Sequence, residues 1–547
     1  MFGTSCFLPA LTGGGARTFN AARSSQPGPA IRVCLAALPA LAFAAAALLT
    51  LASCAARSGR VVEARLAEDD VLTARAESEA ARASYPGFKK AVEIYGRLYA
   101  KKSLRPRVAG RYLEACLLLA LREKSLGLRG AGAVDTAQTL LEENPALASL
   151  EPYFLVVASI PPRTKGVIQD VETKFWDFEQ AKKLTAALEE LRRRAQRQAF
   201  AALVVISGSC NFKDRAAAQE LQALYPDSLL IRYQAAVCSG EEQDFKELLA
   251  RHPHLVEVRY FLGEAALARG ALLEAEDHFL EALSVMPESP QVPLLLGGIY
   301  FATEEFEKSL PFYDRALEVE PDYRDALLGK AVSLGYLGRH REALAALARI
   351  LELGYWLIGE SHYWTAWNLH ELGENDEAVR NIEEAKKRLP TDSEVFSLSG
   401  RLAYEAGDDG KADRDFNESL VYNPANSASL FGLGNVRARQ GRFAEAAGFY
   451  ERAGDVFSRT ADSLETRLAE VRASALEPGR KEALARRKEA QLEKTRLSAA
   501  AAYYDAAAML VNHGEPGRRA LALAEKAAAH PSFKEKAAEL LRLIEKK

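Results

Sequence analysis

The chain has 547 residues, 48% hydrophobic and 27% charged, so it carries enough apolar side chains to fold, and global disorder is excluded. Its formal net charge is -3, with Lys and Arg scattered among Asp and Glu, which disfavours a nucleic-acid partner. Length alone does not count the domains, since helical repeat arrays extend as one continuous body.

The first 54 residues predict export from the cytoplasm. They contain Arg17, Arg23 and Arg32 but no Asp or Glu, and an uncharged run rich in Ala and Leu occupies residues 33–50. A basic start followed by a short apolar run is typical of a secretory signal peptide. Because about 18 apolar residues is near the lower limit for crossing a bilayer, an uncleaved transmembrane anchor is the alternative.

The apolar run ends in Leu51-Ala52-Ser53-Cys54, which resembles the lipobox of bacterial lipoproteins. In that family the cysteine thiol accepts diacylglycerol and becomes the new N-terminus after cleavage. The resemblance implies lipidation at Cys54 and removal of residues 1–53. It also implies a location in the bacterial cell envelope, lipid-anchored to a membrane and facing the periplasm, with inner and outer membrane both open.

Three cysteines follow Cys54, namely Cys116, Cys210 and Cys238, and none is spaced as Cys-x-x-Cys. An odd number without paired spacing excludes a disulfide framework. One bridge between Cys210 and Cys238 is compatible with an oxidising compartment. Because cysteines on helices are usually buried as small hydrophobic residues, burial without a bridge is the favoured alternative.

Two helical regions are predicted before the clearest repeats. Residues 54–162 have helical periodicity and contain degenerate repeats, and residues 163–253 resume as repeat-like helices. The consecutive prolines Pro161 and Pro162 fit neither a helix nor a strand ladder, so they mark the boundary between the two regions. Neither region has the alternating pattern of a strand, which disfavours a hydrolase or nucleotide-binding fold.

Residues 254–459 contain a repeat whose copies are offset by 34 residues where they are clearest. The first copy has Leu262-Gly263, Ala275, Phe279, Ala282 and Pro287, and the second has Leu296-Gly297, Tyr313, Ala316 and Pro321. This pattern resembles the tetratricopeptide repeat, and about six copies fit. The resemblance implies an all-α fold, an α-solenoid in which helix-turn-helix units stack as a right-handed superhelix.

The repeated positions have physical reasons. Glycines are expected in left-handed turns between the two helices of a repeat, because only Gly adopts that conformation without steric cost. These glycines are Gly270, Gly338, Gly373, Gly407 and Gly441. Ala275, Phe279 and Ala282 share one helix face and are expected in the core. One extra residue near Leu353-Gly354-Tyr355 predicts a local irregularity.

Residues 460–547 read as long, highly charged helices, broken near Pro478 and near Gly514, and are predicted to form a charged cap at the C-terminal end of the array.

The resemblance also implies where a partner binds, because the first helix of each repeat lines the concave surface on which this family binds peptides. Tyr, Trp and Arg are enriched where binding energy concentrates. The inward positions carried over are Tyr260, Phe301, Tyr336, Tyr363, Trp367, His370, Arg401, Tyr404, Phe431 and Asn435. The alternative is that several of these rings pack between neighbouring helices.

The sequence has no phosphate-binding loop, zinc-protease motif or nucleophile elbow, so we expect no enzyme activity, no cofactor and no metal. The pattern predicts a membrane-tethered scaffold that binds a protein or peptide partner, related to assembly or transport. The alternative is a solenoid that binds a small hydrophobic ligand and partners a solute transporter. The sequence does not indicate an oligomeric state.

Overall fold

A computed structural model describes most of the chain after the N-terminal segment. The described residues are 68–128, 130, 132–161, 178–211, 215–354, 357–474 and 476–545. The chain divides into two units between Leu72 and Thr73, and in the first unit the described residues 68–72 are helical. The predictions for residues 1–67, including lipidation at Cys54, lie outside the described residues.

The described part of the chain consists of helices and turns without strands, which confirms the predicted all-α solenoid. After residues 68–81, which are helical, its N-terminal half contains nine further α-helices and one 3-10 helix, Pro145–Leu150. The α-helices are α1 (Tyr85–Tyr99), α2 (Arg105–Ser125), α3 (Ala133–Glu143), α4 (Glu151–Ser159), α5 (Phe178–Ala195), α6 (Ala199–Asn211), α7 (Arg215–Leu224), α8 (Leu229–Ser239) and α9 (Glu242–Arg251).

One continuous core joins this N-terminal half to the start of the repeats. A buried ion pair crosses it, since Arg122 of α2 lies 2.7 Å from Glu257, and their side chains are 4% and 0% exposed. The guanidinium of Arg122 also lies 3.3 Å from the centroid of the Tyr233 ring. Both charges are removed from water, so loss of one partner would leave the other charge buried and uncompensated. The intact pair therefore helps to hold the N-terminal helices on the array.

The two described cysteine side chains differ. Cys116 is a buried free thiol, and burial together with the nearby charge of Glu123 raises its pKa to about 12. Cys238 in α8 is disulfide-bonded, so the favoured alternative of an unbridged cysteine is wrong at this position. The side chain of Cys210 lies outside the described residues.

The repeats form six consecutive helix pairs in the described chain. Their helices are α10 (Val258–Ala268), α11 (Leu272–Val285), α12 (Gln291–Ala302), α13 (Phe306–Val319), α14 (Arg324–Tyr336), α15 (His340–Leu353), α16 (Ile358–Glu371), α17 (Asn375–Arg388), α18 (Ser393–Glu405), α19 (Asp409–Tyr422), α20 (Ser427–Arg439) and α21 (Phe443–Ala473). Within each pair the first helix is called helix A and the second helix B.

The turn between helix A and helix B is left-handed, as predicted. The five glycines named for these turns have φ between 73° and 82°. The second repeat has no glycine there, and Glu304 takes the left-handed conformation with φ 61°. A non-glycine residue in this region costs about 1 kcal/mol, so another interaction must hold Glu304 in place.

Helix A approaches helix B closely because a glycine faces an aromatic ring. A Cβ on Gly263 would meet the Phe279 ring at 2.7 Å, and one on Gly297 would meet the Tyr313 ring at the same distance. The predicted core residues Ala275, Phe279 and Ala282 are each 0% exposed. The repeat therefore stabilises the fold by pairing one residue without a side chain with one large ring.

The predicted irregularity between the third and fourth repeats is present as an unusual backbone. Helix α15 ends at Leu353, and Gly354 and Leu357 have φ 64° and 60°. Residues 355 and 356 lie outside the described part.

The C-terminal region begins with a long helical hairpin, and its helices are broken near Pro478 and near Gly514 as the sequence predicts. Helix α21 continues without a break through residue 459, where the sequence predicted the end of the array. It has 31 residues and packs against α22 (Pro478–His513), which has 36. A separate small core joins the two helices and consists of Ala461, Leu464, Leu468, Ala485 and Leu492. The chain ends with α23 (Arg518–Ala528), a 3-10 helix (Pro531–Phe533) and α24 (Lys534–Glu545).

Candidate functional site

A cavity of about 470 Å³ opens beside the A helices of the last three repeats. It is formed by α16, α18 and α20, with Phe416 from α19, and the hairpin helix α21 adds Phe457 to its wall. The lining residues are Tyr363, Trp367, Glu394, Ser397, Leu398, Arg401, Tyr404, Glu405, Phe416, Ala428, Phe431, Gly432, Asn435 and Phe457. Since Arg401 and Glu405 are exposed, the cavity is open to solvent.

Six of the ten predicted binding residues line this one cavity. They are Tyr363, Trp367, Arg401, Tyr404, Phe431 and Asn435. Helical spacing explains the grouping, because residues three or four apart on one helix share a face, as Tyr363 and Trp367 do. Helical spacing thus pairs residues within one A helix, and the family resemblance implied that the A helices face the same surface.

A chain of aromatic rings continues from the cavity toward the second repeat. Tyr336 is 52% exposed, and its ring lies 5.9 Å from that of Trp367 and 5.0 Å from that of Phe306. Phe301 lies 5.9 Å from Tyr336, and Trp364 lies at the same distance on another side. The predicted residues Phe301 and Tyr336 thus belong to a neighbouring aromatic surface and not to the cavity itself.

Tyr260 was predicted to lie on the binding surface, but the structure places it in the core. Its side chain lies in the core at 3% exposure, against the rings of Phe261 and Phe279, and its hydroxyl donates a hydrogen bond to Glu264. Tyr260 packs between helices instead of facing a groove, because the N-terminal half of the chain covers the first repeat.

His370 also departs from the cavity. Its ring makes a 3.1 Å hydrogen bond with Asn375 at the start of helix B, and its Nδ1 lies 3.6 Å from Glu405. The side chain is 13% exposed and does not contribute to the lining. His370 therefore positions Glu405 and the helix turn instead of facing the open space.

The charged side chains on the cavity wall differ in whether they have an oppositely charged neighbour. Arg401 lies 4.0 Å from Glu371, whereas Glu394 accepts a 2.9 Å hydrogen bond from Asn426 and makes no ion pair within the described residues. Although Glu394 keeps solvent access, burial by surrounding atoms and then the charge of Asp392 raise its pKa. The pKa of the Tyr363 hydroxyl is raised by burial first and by Glu394 second. Glu394 is thus a carboxylate on the cavity wall that has a hydrogen-bond donor but no paired cation in the described residues.

Sequence reasoning missed Phe457, which lines the cavity from the hairpin. The repeat pattern does not mark Phe457, because this residue lies after the last pattern position of the sixth helix pair. It faces the cavity only because α21 is extended beyond that position. The unbroken apolar spacing of Tyr450, Ala453 and Phe457 on one helix is the signal that could have found it.

The far end of the hairpin docks on the first two repeats. Arg480, near the start of α22, lies 2.7 Å from Glu276 and 3.0 Å from Glu305, whose side chains are 4% and 1% exposed. Burial lowers the pKa of Arg480, but hydrogen bonds to both carboxylates outweigh it and leave the pKa raised. For Glu305 the burial penalty is likewise outweighed, by hydrogen bonds from Lys308 and Arg480, and its pKa is lowered.

A second contact explains the left-handed Glu304. Lys488, two helical turns after Arg480, lies 2.7 Å from the Glu304 carboxylate. The hairpin starts beside α20 and ends on the turn between α12 and α13, so it bridges the repeats between them. The aromatic surface and the cavity lie on A helices between these two attachment points.

Metal-binding clusters and membrane-spanning helices are both absent from the described residues. No set of three or more His, Cys, Asp or Glu side chains there is arranged to hold a metal ion. Among the same residues, no helix combines the length and hydropathy needed to span a bilayer.

Family models of the tetratricopeptide repeat match residues 242–293, 294–323, 328–393 and 398–455. The match confirms tetratricopeptide repeats in this part of the chain, including α9, which precedes the predicted array. This fold mediates protein–protein interaction and generally serves as a non-catalytic scaffold.

Curated relatives are similar to this chain over part of its length. Human protein O-mannosyl-transferase TMTC1 is 26% identical over 225 residues, which are 39% of this chain and 25% of TMTC1. The TPR repeat-containing protein YpiA of Bacillus subtilis is 23% identical over 39% of this chain and 52% of YpiA. The chain thus matches less than two thirds of the length of these relatives.

Solved structures with similar helices include PilW, a type IV pilus biogenesis factor, at 17% identity over 38% of this chain and 91% of PilW, with a TM-score of 0.32. The Cut9–Hcn1 heterotetramer of the anaphase-promoting complex is 14% identical over 83% of this chain and 76% of the matched chain, with a TM-score of 0.36.

Proposed function

We propose that this tetratricopeptide-repeat chain is a membrane-tethered scaffold of the bacterial cell envelope. It is anchored through a lipid on Cys54, faces the periplasm and binds a protein or peptide partner in an assembly or transport process. Its repeats present a binding surface and run no chemistry. The N-terminal pattern of Arg32, an apolar run and Leu51-Ala52-Ser53-Cys54 supports the anchor.

The disulfide of Cys238 supports an oxidising location. Such bonds persist in secreted and periplasmic proteins, whereas the cytoplasm keeps thiols reduced. Cys238 is disulfide-bonded, and the chain offers few other cysteines for a framework of bridges.

The observation that carries the binding proposal is the open aromatic cavity. The A helices α16, α18 and α20 contribute Trp367, Arg401 and Phe431 to one wall, and these are residue types in which interfaces concentrate binding energy. Because the cavity opens to solvent beside a row of further rings, an extended segment of a partner can enter it and continue along the surface.

The alternative is a small hydrophobic ligand delivered to a solute transporter. The cavity volume of about 470 Å³ favours it, because pockets for small molecules have about 300–1,000 Å³. The exposed charges of Arg401 and Glu405 at the cavity wall favour the peptide instead.

The test is a crosslinking pull-down from intact cells, followed by mass spectrometry of the captured proteins. The variant Tyr363→Ala/Trp367→Ala removes two cavity rings, and Tyr422→Ala removes an exposed ring that lies outside the cavity. Circular dichroism establishes that each variant is folded. We expect partners to be lost from the cavity variant and kept by the control.

Identical partners from the cavity variant and from the Tyr422→Ala control would contradict the cavity as the docking site. A specific small molecule that co-purifies with the wild type, with no protein partner, would favour the alternative. Membrane release by Cys54→Ala is the matching test of the lipid anchor.

A further inference from the structure

Cationic side chains in this protein are repeatedly held between an aromatic ring and a carboxylate. The guanidinium of Arg439 lies 3.6 Å from the centroid of the Tyr404 ring and pairs with Asp409 at 2.7 Å. The same arrangement holds Arg122 over Tyr233 beside Glu257, Lys386 over Phe396 beside Asp415, and Lys526 over Tyr503 beside Asp455. A ring face attracts a cation, and a nearby carboxylate strengthens the attraction when water is partly excluded.

Apart from Tyr404, which carries Arg439, the cavity rings and the Glu394 carboxylate offer this arrangement without a cation stacked between them in the described residues. Among the described residues, no Lys or Arg stacks on Tyr363, Trp367, Phe431 or Phe457. Glu394 lines the same space, and its carboxylate is hydrogen-bonded but makes no ion pair in the described chain.

The charges that line the cavity leave it negative. Glu394 and Glu405 carry two negative charges against the one positive charge of Arg401, and Glu371 lies 4.0 Å from Arg401. Burial and then the charge of Glu394 raise the pKa of the Tyr363 hydroxyl, and Arg401 opposes them only weakly. A bound cation would offset this field, whereas a bound carboxylate would add to it.

We infer that the cavity binds a lysine or arginine side chain of a partner peptide, with the cation held between the Tyr363 and Trp367 rings and the Glu394 carboxylate. This inference rests on the proposed function and specifies the chemistry of its partner. Because about 470 Å³ exceeds what one side chain fills, apolar residues beside the cation contact Leu398 and Phe416 on the same wall.

The experiment selects peptides from a random phage-displayed library on the immobilised mature protein and then measures binding of the synthetic peptides by calorimetry. Each selected peptide is compared with a version in which its Lys or Arg is replaced by norleucine, which keeps the apolar stem and removes the charge. The protein variants are Glu394→Gln, which still accepts the hydrogen bond of Asn426, and Glu318→Gln, which removes an exposed carboxylate outside the cavity.

We expect the selected peptides to be enriched in Lys or Arg beside apolar residues. Replacement of the cation by norleucine and the Glu394→Gln variant should each weaken binding about tenfold, and Glu318→Gln should leave it unchanged. Peptides that bind in the cavity without a cation preference, or that need Asp, Glu or a free carboxylate and lose binding in Arg401→Gln, would overturn the inference and leave the proposed function intact. Selection of no peptide that depends on the cavity would overturn both.

Discussion

Arg480 lies 2.7 Å from Glu276, although 204 residues separate them in the chain. The contact joins the far end of the C-terminal hairpin to the first repeat, while Phe457 near the other end lines the cavity. The hairpin therefore contributes to the cavity wall at one end and is attached to the first two repeats at the other, and its attachment is a testable property of the fold.

Replacement of Arg480 by Ala should release the end of the hairpin. It leaves Glu276 almost fully buried without a cation and Glu305 paired with Lys308 alone, and breaking a buried pair in this way costs about 3 kcal/mol. Hydrogen exchange measured by mass spectrometry should become faster at residues 476–482 and around Glu305. Arg486→Ala, which removes an exposed pair with Glu482, is the matched control and should change neither region.

Acid should weaken the same attachment. The folded pKa of Glu305 lies below its unfolded value, which is about 4.3, so its contribution to stability is fully present at neutral pH. That contribution is lost as the pH falls through the folded pKa. Exchange at the hairpin end should therefore accelerate below about pH 4 in the wild type. An Arg480→Ala variant that shows the same pH dependence as the wild type would contradict this explanation.

The left-handed backbone of Glu304 should be strained, and the ion pair with Lys488 should hold it in that conformation. In a Lys488→Ala background, Glu304→Gly should stabilise the protein by about 1 kcal/mol, because glycine removes the left-handed cost. In the wild type the gain should be smaller, since the same change also removes the 2.7 Å ion pair. Urea unfolding curves measure both differences. Gly270→Ala, at the same turn of the first repeat, should destabilise by about 1 kcal/mol.

Two adjacent glycines should respond with opposite signs. Gly297→Ala places a Cβ 2.7 Å from the Tyr313 ring and should destabilise by about 2 kcal/mol. Gly298→Ala meets no atom within 4 Å and should stabilise by up to about 1 kcal/mol, because alanine favours the helix. Thermal unfolding followed by circular dichroism compares the two. Equal effects would mean that close packing on the ring does not set the repeat spacing.

The attachment of the N-terminal half should weaken when its buried ion pair is broken, although the continuous core still joins it to the repeats. Arg122→Ala leaves Glu257 unpaired at 0% exposure and should destabilise by about 3 kcal/mol. Arg97→Ala, which removes an exposed pair with Glu93, should stay within about 0.5 kcal/mol of the wild type. Limited proteolysis should cut near residues 100–104 only in the first variant.

The repeat fold and part of the cavity lining could be predicted from local spacing in the sequence. The turn glycines, such as Gly338, and the paired ring and glycine of each repeat follow from steric rules that act within 34 residues. Six of the predicted binding residues line one cavity, because the repeat brings corresponding helix A positions such as Trp367 and Arg401 to the same side of the array.

What the sequence did not predict depends on contacts between distant segments. Tyr260 was placed on the binding surface, yet the N-terminal half covers its repeat and makes it core. The end of the array was set near residue 459, yet α21 continues and returns as the hairpin that carries Arg480. A charge-rich helix has the same sequence pattern whether it is exposed to solvent or packed on another helix. Only the burial of the Glu276 and Glu305 carboxylates in the structure shows that the hairpin is docked on the repeats.

The most direct test of the proposed binding cavity is site-specific photocrosslinking in intact cells. A photoreactive phenylalanine replaces Tyr404 in the cavity in one variant and Tyr422 outside it in another, and both side chains are large rings on neighbouring helices. We predict a discrete crosslinked protein from position 404 and none from position 422. Crosslinks from 422 alone, or the same product from both positions, would contradict the cavity as the place where the partner binds.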